Sequence, residues 1–243
     1  MKLYKNIYIY IINHGLNSID GERFEIIEIN KEKNGVIYLK YIKSIKLPEK
    51  FISSTNSLAV VAEDDIFFTT SFPIHPPAID KANFITKKIS FLAIFLNSIL
   101  NLKMTYLYHY KNGIITKVKD SNSCFNNGVA YDPANKLIFL AQSIENNIRV
   151  YKYDSNGEVN FIRDIYLGYK MDNLIFDETS RILSVGILGF KGYSGLAEIF
   201  PDKNFEIKIP FYDIVDDYFS SAIKFNNKLY IVTPHSNYLL FCE

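Results

Sequence analysis

Four predicted short apolar strands begin with a small polar residue, usually Asn, and this repeat leaves few folds open to the chain. Each strand is followed by a turn and a second strand. The segments are Asn56-Ser-Leu-Ala-Val-Val, Asn127-Gly-Val-Ala-Tyr-Asp, Asp172-Asn173-Leu-Ile-Phe-Asp and Ser221-Ala-Ile-Lys-Phe. The step from Asn127 to Asn173 is 46 residues, and the step from Asn173 to Ser221 is 48. A repeat of about 40 to 50 residues built from short strands is typical of propeller blades.

The polar entry residues are the natural place to look for function in such a fold. The innermost strands of all blades of a propeller converge on one axis. Side chains at the entries of these strands can therefore meet around a single ion or ligand, even though they are distant in the sequence.

Strand and turn signals predict one all-β domain over residues 1–243, an incomplete six-bladed β-propeller of about 18 strands. We expect a partial blade at 1–50, complete blades at about 51–120, 121–168 and 169–212, and a partial blade at 213–243. Three strands are predicted in each partial blade and four in each complete blade. The chain would then be an arc of a larger ring, without roughly one blade and a closing strand at its N-terminal side.

A helical insertion at about 73–103 is predicted to interrupt the second blade. It opens with three prolines, and its longest apolar run extends from Ile89 to Leu100 with Asn97 inside it. Two interpretations are open for this helix. It is a lid or a patch that contacts lipid or a membrane surface, or it packs on the top of the propeller.

Composition excludes several classes of function. The chain has 243 residues, of which 48% are hydrophobic and 22% charged, as expected of a globular protein. Its net charge is +1 with 27 basic and 26 acidic residues interspersed, so no basic stripe indicates nucleic acid. No run reaches the roughly 18 apolar residues that span a bilayer. The alternating Ile and Tyr near the N-terminus favour a strand over a signal peptide.

Motifs of the common hydrolases and of zinc sites are missing from the sequence. It contains no Gly-x-Ser-x-Gly elbow, no P-loop and no cysteine–histidine zinc spacing. Cys124 is predicted to be a buried small side chain, and the sequence leaves open whether it pairs with Cys242. His109 and His235 are expected to be surface or hydrogen-bonded histidines, and His75 a loop residue.

Several longer matches resemble the paraoxonase/arylesterase family. They include Ile-Ile-Asn13-His14 before Phe24-Glu-Ile-Ile-Glu-Ile, and Leu47-Pro48 leading into Asn56-Ser57. The others are Phe125-Asn-Asn127-Gly128 before Ile148-Arg-Val-Tyr-Lys-Tyr, then Met171-Asp172-Asn173-Leu-Ile-Phe-Asp and the terminal Leu240-Phe-Cys242-Glu. The resemblance covers nearly the whole chain outside the helical insertion.

This resemblance implies a six-bladed propeller esterase or lactonase with two calcium ions in its central tunnel. Four residues match ligand positions of the catalytic ion: Asn56, Asn127, Asp172 and Asn173. Their amide and carboxylate oxygens are the donors that calcium prefers. A further glutamate ligand of the family would lie in the blade that this sequence does not contain. With one carboxylate the site is expected to hold calcium weakly.

The resemblance also assigns roles to three other positions. His14 matches the supporting member of a catalytic histidine dyad, whose partner would lie on the missing inner strand. Ser57 stands where the family has an aspartate ligand of the second, structural calcium. Cys242 matches a C-terminal cysteine that forms a disulfide with a residue near the missing N-terminus.

Two functions therefore remain open from the sequence. The first is calcium-dependent hydrolysis of aryl esters or lactones, with the metal as Lewis acid and histidine-assisted attack by water. The second is a catalytically inactive propeller that keeps a partial calcium site for structure or partner binding. Without the resemblance, Asn and Asp before strands also suit plain turns, and His14 suits a strand end. The sequence does not decide localisation or oligomeric state.

Overall fold

The structure, a computed structural model, is built almost entirely from antiparallel strands. It describes residues 7–14, 21–32, 35–48, 55–72, 88, 92–93, 95–97, 99–154, 156–188, 193–214, 219–225, 228–233 and 240–242. These residues form five sheets, and within each sheet the strands follow one another in chain order. This is the up-and-down arrangement of propeller blades, and it confirms the predicted all-β propeller class.

The five sheets contain three, four, four, four and three strands. The strands are β1 Ile7–Asn13, β2 Arg23–Lys31 and β3 Ile37–Lys46; β4 Thr55–Ala62, β5 Asp65–Thr70, β6 Leu107–Lys111 and β7 Ile114–Lys117; β8 Asn126–Asp132, β9 Leu137–Gln142, β10 Asn147–Tyr153 and β11 Val159–Tyr166; β12 Lys170–Asp177, β13 Ile182–Leu188, β14 Tyr193–Phe200 and β15 Glu206–Ile214; β16 Ser221–Phe225, β17 Lys228–Val232 and β18 Leu240–Cys242. A short 3-10 helix, Pro201–Lys203, precedes β15.

Four apolar clusters fill the spaces between consecutive sheets. Phe24 of the first sheet packs with Phe68 of the second, and Phe67 packs with Tyr151 of the third. Neighbouring residues of β5 thus serve two different cores, because successive side chains point to opposite faces of a sheet. Both faces of these central strands are covered, so every residue of β5 and of β9 is buried. The clusters hold neighbouring blades face to face.

The first strand of each complete sheet lies next to the first strand of the following sheet. β4 contacts β8, β8 contacts β12, and β12 contacts β16. These four strands are therefore the inner strands of their blades. Strand β6 begins at Leu107, and Thr105 before it forms an isolated bridge with Ser123.

The described residues within 88–99 are helical, in agreement with the predicted helix over Ile89–Leu100. The remainder of the predicted insertion through residue 87, including His75, lies outside the described residues. No helix among the described residues has the length and hydropathy needed to cross a bilayer.

Candidate metal centre

A two-residue bulge interrupts the pairing at the entry of three inner strands. The register shifts between Thr55 and Leu58 in β4, between Asn126 and Val129 in β8, and between Met171 and Leu174 in β12. Bulges leave residues unpaired and re-aim their side chains, often beside active sites. The unpaired residues here are 56–57, 127–128 and 172–173, so all four predicted ligands lie in equivalent bulges.

The bulges bring the four predicted ligands to one cavity of about 390 Å³, which is within the usual range for small-molecule sites. Asn56, Asn127, Asp172 and Asn173 all line it. The other lining residues are Phe125, Leu188 and Ser220. Of these described residues, Asp172 is the single charged one. The cavity thus combines several oxygen donors with two apolar side chains.

Close approach of the inner strands keeps the bulges together. A Cβ on Gly128 would lie 2.4 Å from the backbone N of Leu174 and 2.8 Å from Cα of Asn173. Only glycine fits at that separation between β8 and β12. The next pair is joined by a backbone hydrogen bond of 3.0 Å, which the N–H of Asn173 donates to the carbonyl of Ser220.

Neighbouring strands hold the amide nitrogens of two predicted ligands. Nδ2 of Asn127 donates to the carbonyl of Met171 at 3.4 Å, and Nδ2 of Asn173 donates to Oγ of Ser220 at 2.9 Å. Each amide therefore keeps its oxygen for another partner. Oδ1 of Asn127 is buried and has no hydrogen-bond partner among the described residues. A buried polar atom without a partner is costly, and a bound cation would satisfy it.

Asp172 is held in an environment that disfavours its own charge. Burial raises the pKa of its carboxyl group, and the side chains of Ser220 and Asn127, which act as hydrogen-bond partners, only partly offset this effect. A buried carboxylate becomes favourable when an opposite charge lies beside it. Asp172 and the unpartnered oxygen of Asn127 thus both fit a cation in the cavity.

The chemistry of the donors indicates which cation fits. Nowhere in the described part of the chain do three His, Cys, Asp or Glu side chains cluster as metal ligands. A metal in this cavity would be bound by three amide oxygens and one carboxylate, a set that suits calcium better than zinc or copper. One carboxylate is consistent with a weak calcium site.

Ser57 takes part in hydrogen bonds between strands. Its Oγ accepts a 3.2 Å hydrogen bond from the backbone N–H of Val129, and its own N–H donates to Oγ1 of Thr69 at 3.1 Å. The Thr69 hydroxyl in turn donates to the carbonyl of Asn127 at 2.6 Å. Hydroxyl groups thus link β4, β5 and β8 where the resemblance implied an aspartate ligand.

His14 follows β1 and is not among the residues that line the cavity. Its side chain is 43% exposed, and its Nδ1 lies 3.2 Å from Oε1 of Glu22, which is fully buried. Glu22 also accepts a 3.0 Å hydrogen bond from the backbone N–H of Thr55, which directly precedes Asn56. His14 is therefore connected to the cavity through two residues rather than by direct contact.

The remaining predicted residues have structural environments. Cys124 is buried, as predicted, and is a free cysteine. His109 is buried and lies 2.7 Å from Asp65, so it is a hydrogen-bonded histidine rather than a surface one. His235 and the side chain of Cys242 lie outside the described residues.

The helical segment is anchored beside the cavity. Asn97 is buried, and its Nδ2 donates a 2.6 Å hydrogen bond to the carbonyl of Cys124, next to the cavity residue Phe125. The side chains of Leu92, Phe95 and Ile99 in the same segment are 55%, 59% and 61% exposed. One side of the segment is thus attached near the site while apolar groups on it face outward.

Sequence reasoning missed two residues of this region. Ser220 lines the cavity, whereas the repeat pointed to Ser221, the first residue of β16. Because Ser220 and Ser221 are adjacent in the sequence, the serine pair was the pattern from which Ser220 could have been predicted. Glu22 has no motif around it, and its partners His14 and Thr55 are 8 and 33 residues away in the sequence.

Comparison with known proteins identifies a family. The family model described as Arylesterase matches residues 3–188. Human serum paraoxonase/lactonase 3 is 23% identical over 180 residues, which cover 74% of this chain and 44% of the human protein. The chain therefore spans less than half of the length of this curated relative.

Two solved structures show the same fold at low identity. A nidogen/laminin complex matches with a TM-score of 0.55 and 12% identity, covering 94% of this chain and 70% of the other. A luciferin-regenerating enzyme matches with a TM-score of 0.53 and 15% identity, covering 97% of this chain and 74% of the other. One is a binding complex and the other an enzyme, so the fold alone does not select a function.

Proposed function

The chain belongs to the arylesterase family, and on this basis we propose that it hydrolyses aryl esters or lactones with calcium as its cofactor. Family relatives carry the names paraoxonase, arylesterase and lactonase. The observation that carries the proposal is the convergence of Asn56, Asn127, Asp172 and Asn173 on one cavity. Their oxygens come from three separate blades, and turn formation alone would not require them to meet.

Bound calcium would polarise the carbonyl group of the substrate and stabilise the negative charge that develops on it. The residues of this chain perform the remaining tasks. The carboxylate of Asp172 balances part of the cation's charge, and the amides of Asn127 and Asn173 are held in place by Met171 and Ser220. Phe125 and Leu188 give the cavity an apolar wall that suits an aryl or alkyl group.

His14 is proposed to assist the attack of water. Its Nδ1 is engaged with Glu22, so Nε2 is the nitrogen that can accept a proton. Because His14 does not line the cavity, it would act through an intervening water.

The test is hydrolysis of phenyl acetate and of a simple lactone, with calcium and with a calcium chelator. We expect turnover of at least one substrate with calcium and its loss with chelator. Asp172→Asn should lower activity at least about tenfold, since it removes the one carboxylate of the cavity. Asp177→Asn, at the other end of β12, is the matched control and should retain activity. No turnover by the wild type, or equal rates with chelator, would contradict the proposal.

A second candidate function is a calcium-binding propeller without catalysis. The position of His14 outside the cavity lining favours it. The same assay distinguishes the two functions when thermal unfolding is measured in parallel. Calcium that raises the melting temperature without any turnover would support the second function and exclude the first.

We also propose that the helical segment contacts lipid surfaces. Leu92, Phe95 and Ile99 are exposed, and each apolar side chain buried in lipid contributes on the order of 1.5–3 kcal/mol. Replacing all three by Ser should weaken binding to phosphatidylcholine vesicles at least about tenfold in a co-sedimentation assay. Ile114→Ser, at the exposed start of β7, is the control and should leave vesicle binding unchanged. Equal binding by the triple variant and the wild type would contradict this contact.

A further inference from the structure

Glu22 is a fully buried carboxylate just before β2. Moving a carboxylate out of water is costly unless hydrogen bonds or opposite charges compensate for the lost hydration. Its backbone is also fixed, because its carbonyl accepts a 2.9 Å hydrogen bond from the N–H of Leu47. A buried carboxylate with a fixed backbone needs hydrogen-bond or ionic partners, and the identity of these partners indicates its role.

The partners of the carboxylate come from two different blades. Oε1 lies 3.2 Å from Nδ1 of His14, at the end of β1. The backbone N–H of Thr55 donates to both carboxylate oxygens, at 3.2 and 3.0 Å, and the Thr55 hydroxyl donates to Oε2. The carboxylate thus bridges the first sheet and the first strand of the second sheet.

Thr55 places this bridge next to the cavity. It is buried, it begins β4, and it is the last residue before the bulge that carries Asn56. A group bound to the backbone of Thr55 fixes the point from which Asn56 turns toward the cavity. The same group holds the imidazole of His14.

We propose that Glu22 is a positioning residue of the hydrolytic site, which aligns His14 and the Asn56 bulge through one carboxylate. This inference rests on the proposed function. By accepting a hydrogen bond from Nδ1–H of His14, Glu22 leaves Nε2 unprotonated and able to take a proton from water. Its negative charge then stabilises the imidazolium that forms.

The protonation equilibria of both groups agree with this geometry. The hydrogen bond to Glu22 raises the pKa of His14, although partial burial opposes the effect. Burial alone would raise the pKa of Glu22, but the hydrogen bonds from His14 and Thr55 outweigh it and lower that pKa. Two charged residues of the adjoining strand β2 have other partners. Arg23 forms an ion pair with Glu25 at 3.3 Å, and Glu25 also accepts a hydrogen bond from Nδ2 of Asn13.

The experiment compares Glu22→Gln with Glu28→Gln. Glu28 is a second buried glutamate, on the adjoining strand β2, and it pairs with Lys40 at 3.7 Å. Imidazole signals of the four histidines are followed by NMR as pH is varied, and His14→Gln assigns the signal of His14. We expect the pKa of His14 to fall in Glu22→Gln, because the hydrogen bond that raises it is weakened, and to stay unchanged in Glu28→Gln. In the ester assay, kcat should fall about tenfold or more for Glu22→Gln, with KM little changed.

Equal His14 titration and equal kcat in the two variants would overturn the role of Glu22 while leaving the hydrolase proposal intact. Conversely, a wild type without turnover would overturn the positioning role together with the proposed function, while the NMR titration would still decide whether Glu22 holds His14. If Glu22→Gln fails to fold, the NMR titration of His14 in the wild type tests the proposal instead. A His14 protonated at Nδ1 with a raised pKa supports the proposal, and an ordinary titration near pH 6.5 overturns it.

Discussion

Buried polar side chains at the cavity differ in their hydrogen bonding from those at the opposite end of the blades. At the cavity end, the oxygen of Asn127 has no partner among the described residues. At the opposite end, Asp65 is fully engaged by His109 at 2.7 Å, by Tyr153 at 2.5 Å and by Lys111 at 3.1 Å. Phe67 stacks on the His109 ring with a centroid distance of 4.2 Å. The satisfied cluster fits a structural role, and the unsatisfied oxygen fits a ligand site.

His109→Gln should change how stability depends on pH. Burial lowers the pKa of His109, so the unfolded state takes up a proton first as pH falls below about 6.5. The neutral histidine therefore contributes stability above that pH, and this contribution declines on acidification. In urea unfolding, the variant should lose about 1–3 kcal/mol at pH 8 and show a weaker decline between about pH 7 and 5.5.

His14→Gln is the control, because the pKa of His14 is raised and its contribution has the opposite sign. The stability that His14 contributes is complete below about pH 6.5 and is lost as pH rises through its folded pKa. If His109→Gln keeps the full decline of the wild type on acidification, His109 is not the group responsible.

Among the strands, the recurring bulge is the feature that brings the polar entry residues of three inner strands to one cavity. The sequence predicted the strands and their polar entries, since the pattern of apolar runs and turns is local. It could not predict the bulges, which depend on pairing with the next strand. The β16–β17 pair has no such shift, and the cavity residue there is Ser220, which directly precedes β16. Glu22 could not be predicted from the sequence, because its hydrogen bonds to His14 and Thr55 join residues that are distant in the chain and form no local motif.

Gly128→Ala tests the close packing of the bulges. The added Cβ would meet backbone atoms of Leu174 and Asn173 at 2.4 and 2.8 Å, so β8 and β12 would have to separate. We expect a loss of about 2–3 kcal/mol in urea unfolding, and weaker calcium binding.

Gly35→Ala is the matched control for the glycine replacement. Nothing lies within 4 Å of its added Cβ, but its φ of +90° makes the change mildly unfavourable. A cost of about 1 kcal/mol is expected there, without an effect on calcium. Equal costs at both glycines would show that the strands tolerate separation.

For the whole molecule, five sheets with four cores between them follow from the repeat spacing read in the sequence. That these sheets belong to an incomplete six-bladed ring stays a prediction. One face of the first sheet exposes Ile7, Leu39 and Tyr41 by 60%, 61% and 61%, although the opposite face is buried against the second sheet. An apolar face of this kind favours association, so calcium binding should be measured together with the oligomeric state.

The proposed function requires that oxygens from three blades bind one calcium ion in the cavity. Its most direct test is a calcium titration by isothermal calorimetry on the wild type, Asp172→Asn and Asn127→Ala. We predict one ion per chain with a Kd on the order of 10⁻⁴–10⁻³ M, and binding at least about tenfold weaker in each variant. Absence of calcium binding at about 10 mM by the folded wild type, or variants that bind as the wild type does, would contradict the claim.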